Sequence, residues 1–316
     1  MSGLELLLGA AAIQVSGMLR GKQETTQELL RALQADDPAF EALTPLAASQ
    51  TGAAKALLVH SLADDLALQW VSGPENGGKH RDLLEFVAEW YLHLARSCGH
   101  CLCALGDDRS LRAVALLLPP RIEEGMAQRV RATMAVGLPP IDKDVGAWGR
   151  HCARRFAAWH SARAAMHDEA VPASSSVQTG MLPGAWAGPR QPHWRLLLMG
   201  VGGRDAASGV VVAGEQQWAL QTTGLLFRAM AAAADRDGWM CYAETTGSPD
   251  HATFRMAAII AQFEVVRQRP LECAPVEAFS TNGGLCALTR RPQEQQRLQG
   301  HQAGDGSSSM MSGVDG

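Results

Sequence analysis

The sequence predicts an α/β fold on a central, partly antiparallel sheet. Three observations carry it. Two strand-length apolar runs, His100–Leu105 and Leu111–Leu118, flank the turn signal Gly106-Asp107-Asp108-Arg109. In the second half, helical stretches alternate with short apolar runs, Trp194–Val201 and Met240–Thr245 among them. The longest apolar runs have strand length, far short of the ~20 residues of a membrane helix.

Composition supports this reading. The 316 residues are 47% hydrophobic and 19% charged, which excludes bulk disorder and collagen-like structure. A formal charge of −4 and a pI near 6.2 give no electrostatic footprint for nucleic acid or an anionic membrane. The seven cysteines are an odd number, and no basic segment precedes an apolar core at the N-terminus. We therefore expect reduced thiols and a cytoplasmic location, with organellar import left open.

The elements follow in order. Residues 1–37 read as an N-terminal helical extension, with helical character around Gln27–Leu33. Ala39–Thr44 is expected as a short strand. A helix from about Gly52 carries the stripe Ala54, Leu57, Leu58 and Leu62. Val71–Gly78 reads as a loop, and Arg81–Arg96 as a helix burying Leu83, Leu84, Val87, Tyr91 and Leu94. Pro119-Pro120 ends the hairpin, because proline has no ladder N–H. Helices are expected at Arg121–Met134, about Val145–Asp168, about Ala219–Asp235 and Phe254–Ala261. Phe263–Arg267 and Leu285–Thr289 read as a closing strand pair. Inserts are expected at 170–192 and 202–214. Residues 293–316 read as a disordered tail, being polar and low in complexity.

Generic catalytic motifs are missing. There is no Walker A loop, no nucleophile elbow and no HExxH helix. Cys98, His100, Cys101 and Cys103 suggest a metal cluster, but a structural zinc usually takes two separated ligand pairs and only one CxxC pair is here. Buried strand cysteines and no metal are expected. The more specific pattern is a buried strand ending Gly200-Val201, a glycine-bearing stretch and a helix. That layout places free N–H groups where an anion can bind.

Six blocks in order across residues 39–292 then resemble one family, the GNAT superfamily of acyl-CoA N-acyltransferases, in its fungal and algal type. They are Leu62-Ala63-Asp64-Asp65-Leu66 with Trp70, Val114–Pro120, Pro192–Val201, Cys241–Thr245, Phe263–Val266 and Leu285–Pro292. The resemblance implies one domain over residues 38–292, with a mixed central sheet whose parallel strands splay apart, flanked by helices. It implies acetyl-CoA as acyl donor and an amine of a small molecule or peptide as acceptor. Pantetheine would pair with strand backbone at Leu198, Met199, Gly200 and Val201. Pyrophosphate would sit on the loop and start of the following helix.

The chain departs from the family pattern there. The expected Gln/Arg-x-x-Gly-x-Gly/Ala loop aligns in one register from Gln217, which loses both glycines. In the other it aligns with Gln221, Thr222, Thr223 and Gly224, which keeps one. The family tyrosine before Phe263 is replaced by Ala257 or Ala258. Glu244 is the remaining candidate base. A catalytically degenerate binding module stays open as the alternative, as does a gene-model origin of the inserts.

Overall fold

The computed structural model describes residues 24–73, 77–120, 126–138, 140, 147–171, 191–202, 215–245, 258–269 and 285–292. Both expected inserts lie almost wholly outside these residues, as do the tail and most of the first 37. Seven strands form one sheet: β1 (Leu43–Pro45), β2 (His100–Leu105), β3 (Leu111–Leu118), β4 (His193–Val201), β5 (Met240–Thr245), β6 (Glu264–Arg269) and β7 (Leu285–Arg290). Their order across the sheet is β1-β2-β3-β4-β5-β7-β6. Every neighbouring pair is antiparallel except β4 with β5.

Helices cover both faces. They are α1 (Thr26–Asp36), α2 (Thr51–Leu62), α3 (Leu66–Ser72), α4 (Gly77–Cys98), α5 (Met126–Val136), α6 (Ala147–Ala170) and α7 (Glu215–Asp237). On one face α2, α3, α4 and α6 pack over Val114, Leu116, Leu118, Leu197, Met240, Tyr242 and Ala287. On the other, α1 and α7 pack over Ala113, Ala115, Leu117, Trp194, Leu196, Cys241 and Leu288. β3 is buried on both sides, which is why its sequence is an unbroken apolar run rather than an alternating one.

Local chemistry sets the element ends. Thr25 opens α1 with a capping box: its hydroxyl accepts from the Glu28 N–H at 3.2 Å, and the Glu28 carboxylate accepts from the Thr25 N–H at 2.8 Å. The Asp65 carboxylate caps α3 by accepting from Leu68 N at 2.9 Å. In the hairpin turn, Arg109 takes a left-handed φ of 61° and the Asp108 carboxylate accepts from Ser110 N at 2.9 Å.

Several expectations shift. The strand expected at Ala39–Thr44 is a 3-10 turn over Pro38–Ala42 followed by β1, because the Asp37 carboxylate accepts from Ala39 N at 2.9 Å and Pro38 presets a turn. Of the expected loop Val71–Gly78, Val71 and Ser72 end α3 while Gly77 and Gly78 begin α4. In the expected helix Phe254–Ala261, residues 258–260 are helical and 254–257 lie outside the described residues. Cys98, Cys101, Cys103, Cys152, Cys241 and Cys286 are buried free thiols, and the Cys103 thiol donates to the Thr44 carbonyl at 3.2 Å.

Candidate functional site

β4 and β5 pair only where they begin. His193, Trp194 and Arg195 stand opposite Met240, Cys241 and Tyr242, and there the register ends. Beyond it each strand stays with its antiparallel neighbour. β4 follows β3 out to the Val201–Ala113 pair, while β5 follows β7 out to the Thr245–Cys286 pair. Leu116 pairs with Leu198 but Leu117 with Leu196, so Leu197 is an extra residue in β4. Such a bulge bends a strand and increases its twist. The sheet thus opens between β4 and β5, and β4 residues 196–201 face the gap with no ladder partner in β5.

Leu198, Met199, Gly200 and Val201, the residues expected to meet pantetheine, lie on this opened stretch of β4. Packing explains the glycine at position 200. A Cβ there would lie 3.2 Å from Leu58 Cδ2 and 3.3 Å from the Leu57 carbonyl oxygen, so α2 packs directly on the strand backbone.

Gln221, Thr222, Thr223 and Gly224 do not form the expected loop. α7 begins at Glu215, about one turn before the expected start at Ala219, so these four residues lie inside the helix. Their N–H groups serve helical hydrogen bonds, whereas the open N–H groups of an α-helix are those of its first four residues. Thr222 and Thr223 are buried, and the Thr223 hydroxyl donates to the Ala219 carbonyl at 2.7 Å. Among the described residues nothing lies within 4 Å of a Cβ built on Gly224, so no described protein neighbour requires glycine there. The alternative register from Gln217 also falls in the helix. Its Trp218 carries the Arg112 guanidinium over the ring at 5.2 Å, close to the open turn of α7.

Glu244 stands at the gap, on the face covered by α4 and α6. Its carboxylate is ion-paired with Arg163 of α6 and accepts from Arg195 Nη2 at 3.2 Å. The Tyr242 hydroxyl donates to the same carboxylate at 2.8 Å. Arg163 in turn donates through Nη1 to the Tyr91 hydroxyl of α4 at 2.6 Å, and its guanidinium lies 4.8 Å over the Trp159 ring. Burial alone would push the Glu244 carboxyl up, but Arg163 and Arg195 outweigh burial and hold it below its usual range. Burial, reinforced by the Glu244 charge, pushes the Tyr242 phenol far up, so it stays a donor.

A histidine pair completes the wall. His167 Nε2 and His193 Nε2 are 2.9 Å apart, and the His167 ring meets Tyr242 edge-on at 4.5 Å. His193 Nδ1 is 3.0 Å from the Gln191 carbonyl oxygen, which can only accept. That fixes the neutral pair as His167 donating through Nε2 to His193.

Sequence reasoning selected Glu244 and missed its partners. One signal was legible: Arg195 is a charged residue inside the buried run Trp194–Val201. Arg163 lies in a helix with many charged residues and carried no such mark. Among the described residues no group of three His, Cys, Asp or Glu side chains could hold a metal ion. No helix among them is long and apolar enough to cross a membrane.

The chain matches no family model and no curated protein. Among solved structures it is similar to a histone acetyltransferase HPA2 and related acetyltransferase from Corynebacterium glutamicum, at 16% identity and a TM-score of 0.38 over 79% of this chain and 96% of that one. It is also similar to arylalkylamine N-acetyltransferase 2 from Aedes aegypti, at 10% identity and a TM-score of 0.42 over 79% of this chain and 97% of that one. The chain itself has a mixed α/β fold: among the described residues one seven-stranded sheet with a single parallel pair, helices on both faces, and an opening beyond Arg195 and Tyr242.

Proposed function

We propose that this chain is a GNAT-type acyltransferase that moves the acetyl group of acetyl-CoA to an amine of a small molecule or peptide. The opened β4–β5 seam carries the reading. A strand edge with no ladder partner offers backbone N–H and C=O groups at fixed spacing, which suits the two amides of a pantetheine arm. Because backbone makes those contacts, the identities of Leu198, Met199 and Val201 matter little to them. The first turn of α7, with Arg112 beside it, would take the pyrophosphate in place of Gln221–Gly224.

The chemistry is a direct displacement. The amine nitrogen bonds to the thioester carbonyl carbon, the C–S bond breaks, and the amine proton ends on the CoA sulfur. Glu244 is a carboxylate on the β5 side of this seam. The guanidiniums that keep it ionised also lower its proton affinity, so as a base it suits an acceptor already near neutrality better than a full ammonium.

A second reading is a CoA-binding module without turnover. The saturation of Glu244 by Arg163, Arg195 and Tyr242 favours it. One experiment separates the two: acetyl-CoA titrated into the protein by calorimetry, followed by thiol release with a panel of small amines and free peptide N-termini. Binding with thiol release supports the enzyme, and binding without it supports the module. No heat at millimolar acetyl-CoA, on folded protein, overturns both.

A further inference from the structure

Arg163 is one of few charged side chains buried among the described residues, at 9% exposure. A guanidinium out of water is costly unless paired, and a well-packed apolar residue often serves stability equally well. Here the pairing is thorough: the Glu244 carboxylate, the Tyr91 hydroxyl at 2.6 Å, the Trp159 ring at 4.8 Å and the Tyr91 ring at 5.7 Å. These partners come from β5, α4 and α6 itself. They meet where β5 has lost β4 as a neighbour, so no β4 ladder restrains Glu244 on that side.

We propose that Arg163 is a positioning residue of the cleft: it clamps the Glu244 carboxylate at the open edge of β5 and ties it to Tyr91 of α4. The clamp crosses from α6 to α4 on the face of the sheet that carries Glu244. This deepens the acyltransferase reading and rests on it for its catalytic meaning. The geometry of the clamp does not depend on that reading.

Other ionisable groups surround Glu244. β4 contributes Arg195 and, further back, His193. β5 contributes Tyr242. α6 adds His167, one turn beyond Arg163, against the Tyr242 ring. β7 places Ala287 opposite Glu244 and Cys286 opposite Thr245, and on β6 Arg267 pairs with Glu169 at 3.8 Å. With Arg163 removed, Arg195 is the remaining guanidinium on Glu244, whose side chain is 6% exposed, so the carboxyl should rise.

The test uses Arg163→Met, Arg163→Lys and Tyr91→Phe in the full chain. Tyr91→Phe removes only a hydroxyl, so it reads the clamp even where Arg163→Met fails to fold. The Glu244 carboxyl is followed by carbon NMR against pH, its signal assigned with Glu244→Gln. In parallel, acetyl-CoA affinity and the pH profile of amine acetylation are measured. We expect the carboxyl to titrate about one pH unit or more higher in Arg163→Met and by less in Tyr91→Phe, with Arg163→Lys restoring much of the loss. The acid limb of activity should move with it, kcat should fall about tenfold or more, and acetyl-CoA affinity should stay within about twofold. An unmoved Glu244 titration in folded Arg163→Met, or in Tyr91→Phe where that variant does not fold, overturns the clamp. A wild type that neither binds nor transfers overturns the acyltransferase reading instead, while the NMR arm still decides the clamp.

Discussion

Tyr91 and Tyr242, the only two tyrosines in the chain, lie at opposite ends of one ion pair. Tyr91 accepts from Arg163 at 2.6 Å, and Tyr242 donates to Glu244 at 2.8 Å. Neither stands in the helix where the family resemblance would put a tyrosine. Both are nonetheless delivered to the seam where β4 and β5 part, one from α4 and one from β5.

Two glycines separate strand packing from phosphate contact. Gly200→Val puts a branched side chain against the Leu57 carbonyl and Leu58, so we expect a loss of about 1–3 kcal/mol in urea unfolding and weaker acetyl-CoA binding. Gly224→Ala adds a methyl in open space within a helix, so we expect a gain of up to about 1 kcal/mol and unchanged affinity. A large affinity loss in Gly224→Ala would return the phosphate site to Gln221–Gly224.

His100 should make the fold acid-sensitive. It is 1% exposed, stacked on Trp194 at 5.5 Å, and its Nδ1 has no hydrogen-bond partner among the described residues. Burial lowers its pKa from 6.5 to about 4. Between those values the unfolded chain binds a proton that the folded one refuses. Stability is therefore whole above about pH 6.5 and falls as pH drops toward 4, by at most ~3 kcal/mol. His100→Phe keeps a ring against Trp194 without the titration. Its unfolding free energy should lose that part of the pH slope, and a slope equal to wild type would assign the acid sensitivity elsewhere.

β7 is the last strand among the described residues, and an ion pair ties it to α7. Arg290 is buried at 4% exposure and holds Asp235 of α7 through two bonds of 2.8 and 2.7 Å. Arg290→Ala should cost about 1–3 kcal/mol, because it removes a buried guanidinium and leaves Asp235, 24% exposed, without that partner. Deleting 293–316 should leave the melting temperature almost unchanged. Thermal melts of the two variants check both statements. A large drop on tail deletion would mean that the tail packs on the domain.

Much of the architecture was legible in the chain because local patterns specify it. The apolar runs at 111–118 and 194–201 are strands, the turn at 106–109 joins a hairpin, and of the expected stripe Ala54, Leu58 and Leu62 are buried and Leu57 half-buried. The order of the six blocks anticipated the seam between β4 and β5. For the strands, the hairpin and the stripe the deciding contacts are near in sequence or follow from burial, which residue type reports directly, whereas the seam was implied by the resemblance alone.

Only the tertiary structure decided the site. Arg163 lies 72 residues from Tyr91 and 81 from Glu244, so no spacing rule joins them. The sequence marks a carboxylate at the end of a strand but not the two guanidiniums that hold it ionised, because partner choice depends on how α6 crosses the sheet. The start of α7 shows the same limit from the other side. Gln216-Gln217-Trp218-Ala219-Leu220-Gln221 contains no helix breaker, so the helix extends through the segment where a phosphate loop is expected. Whether such a segment coils or loops depends on the packing of Trp218 and Leu220 against the core beneath α7.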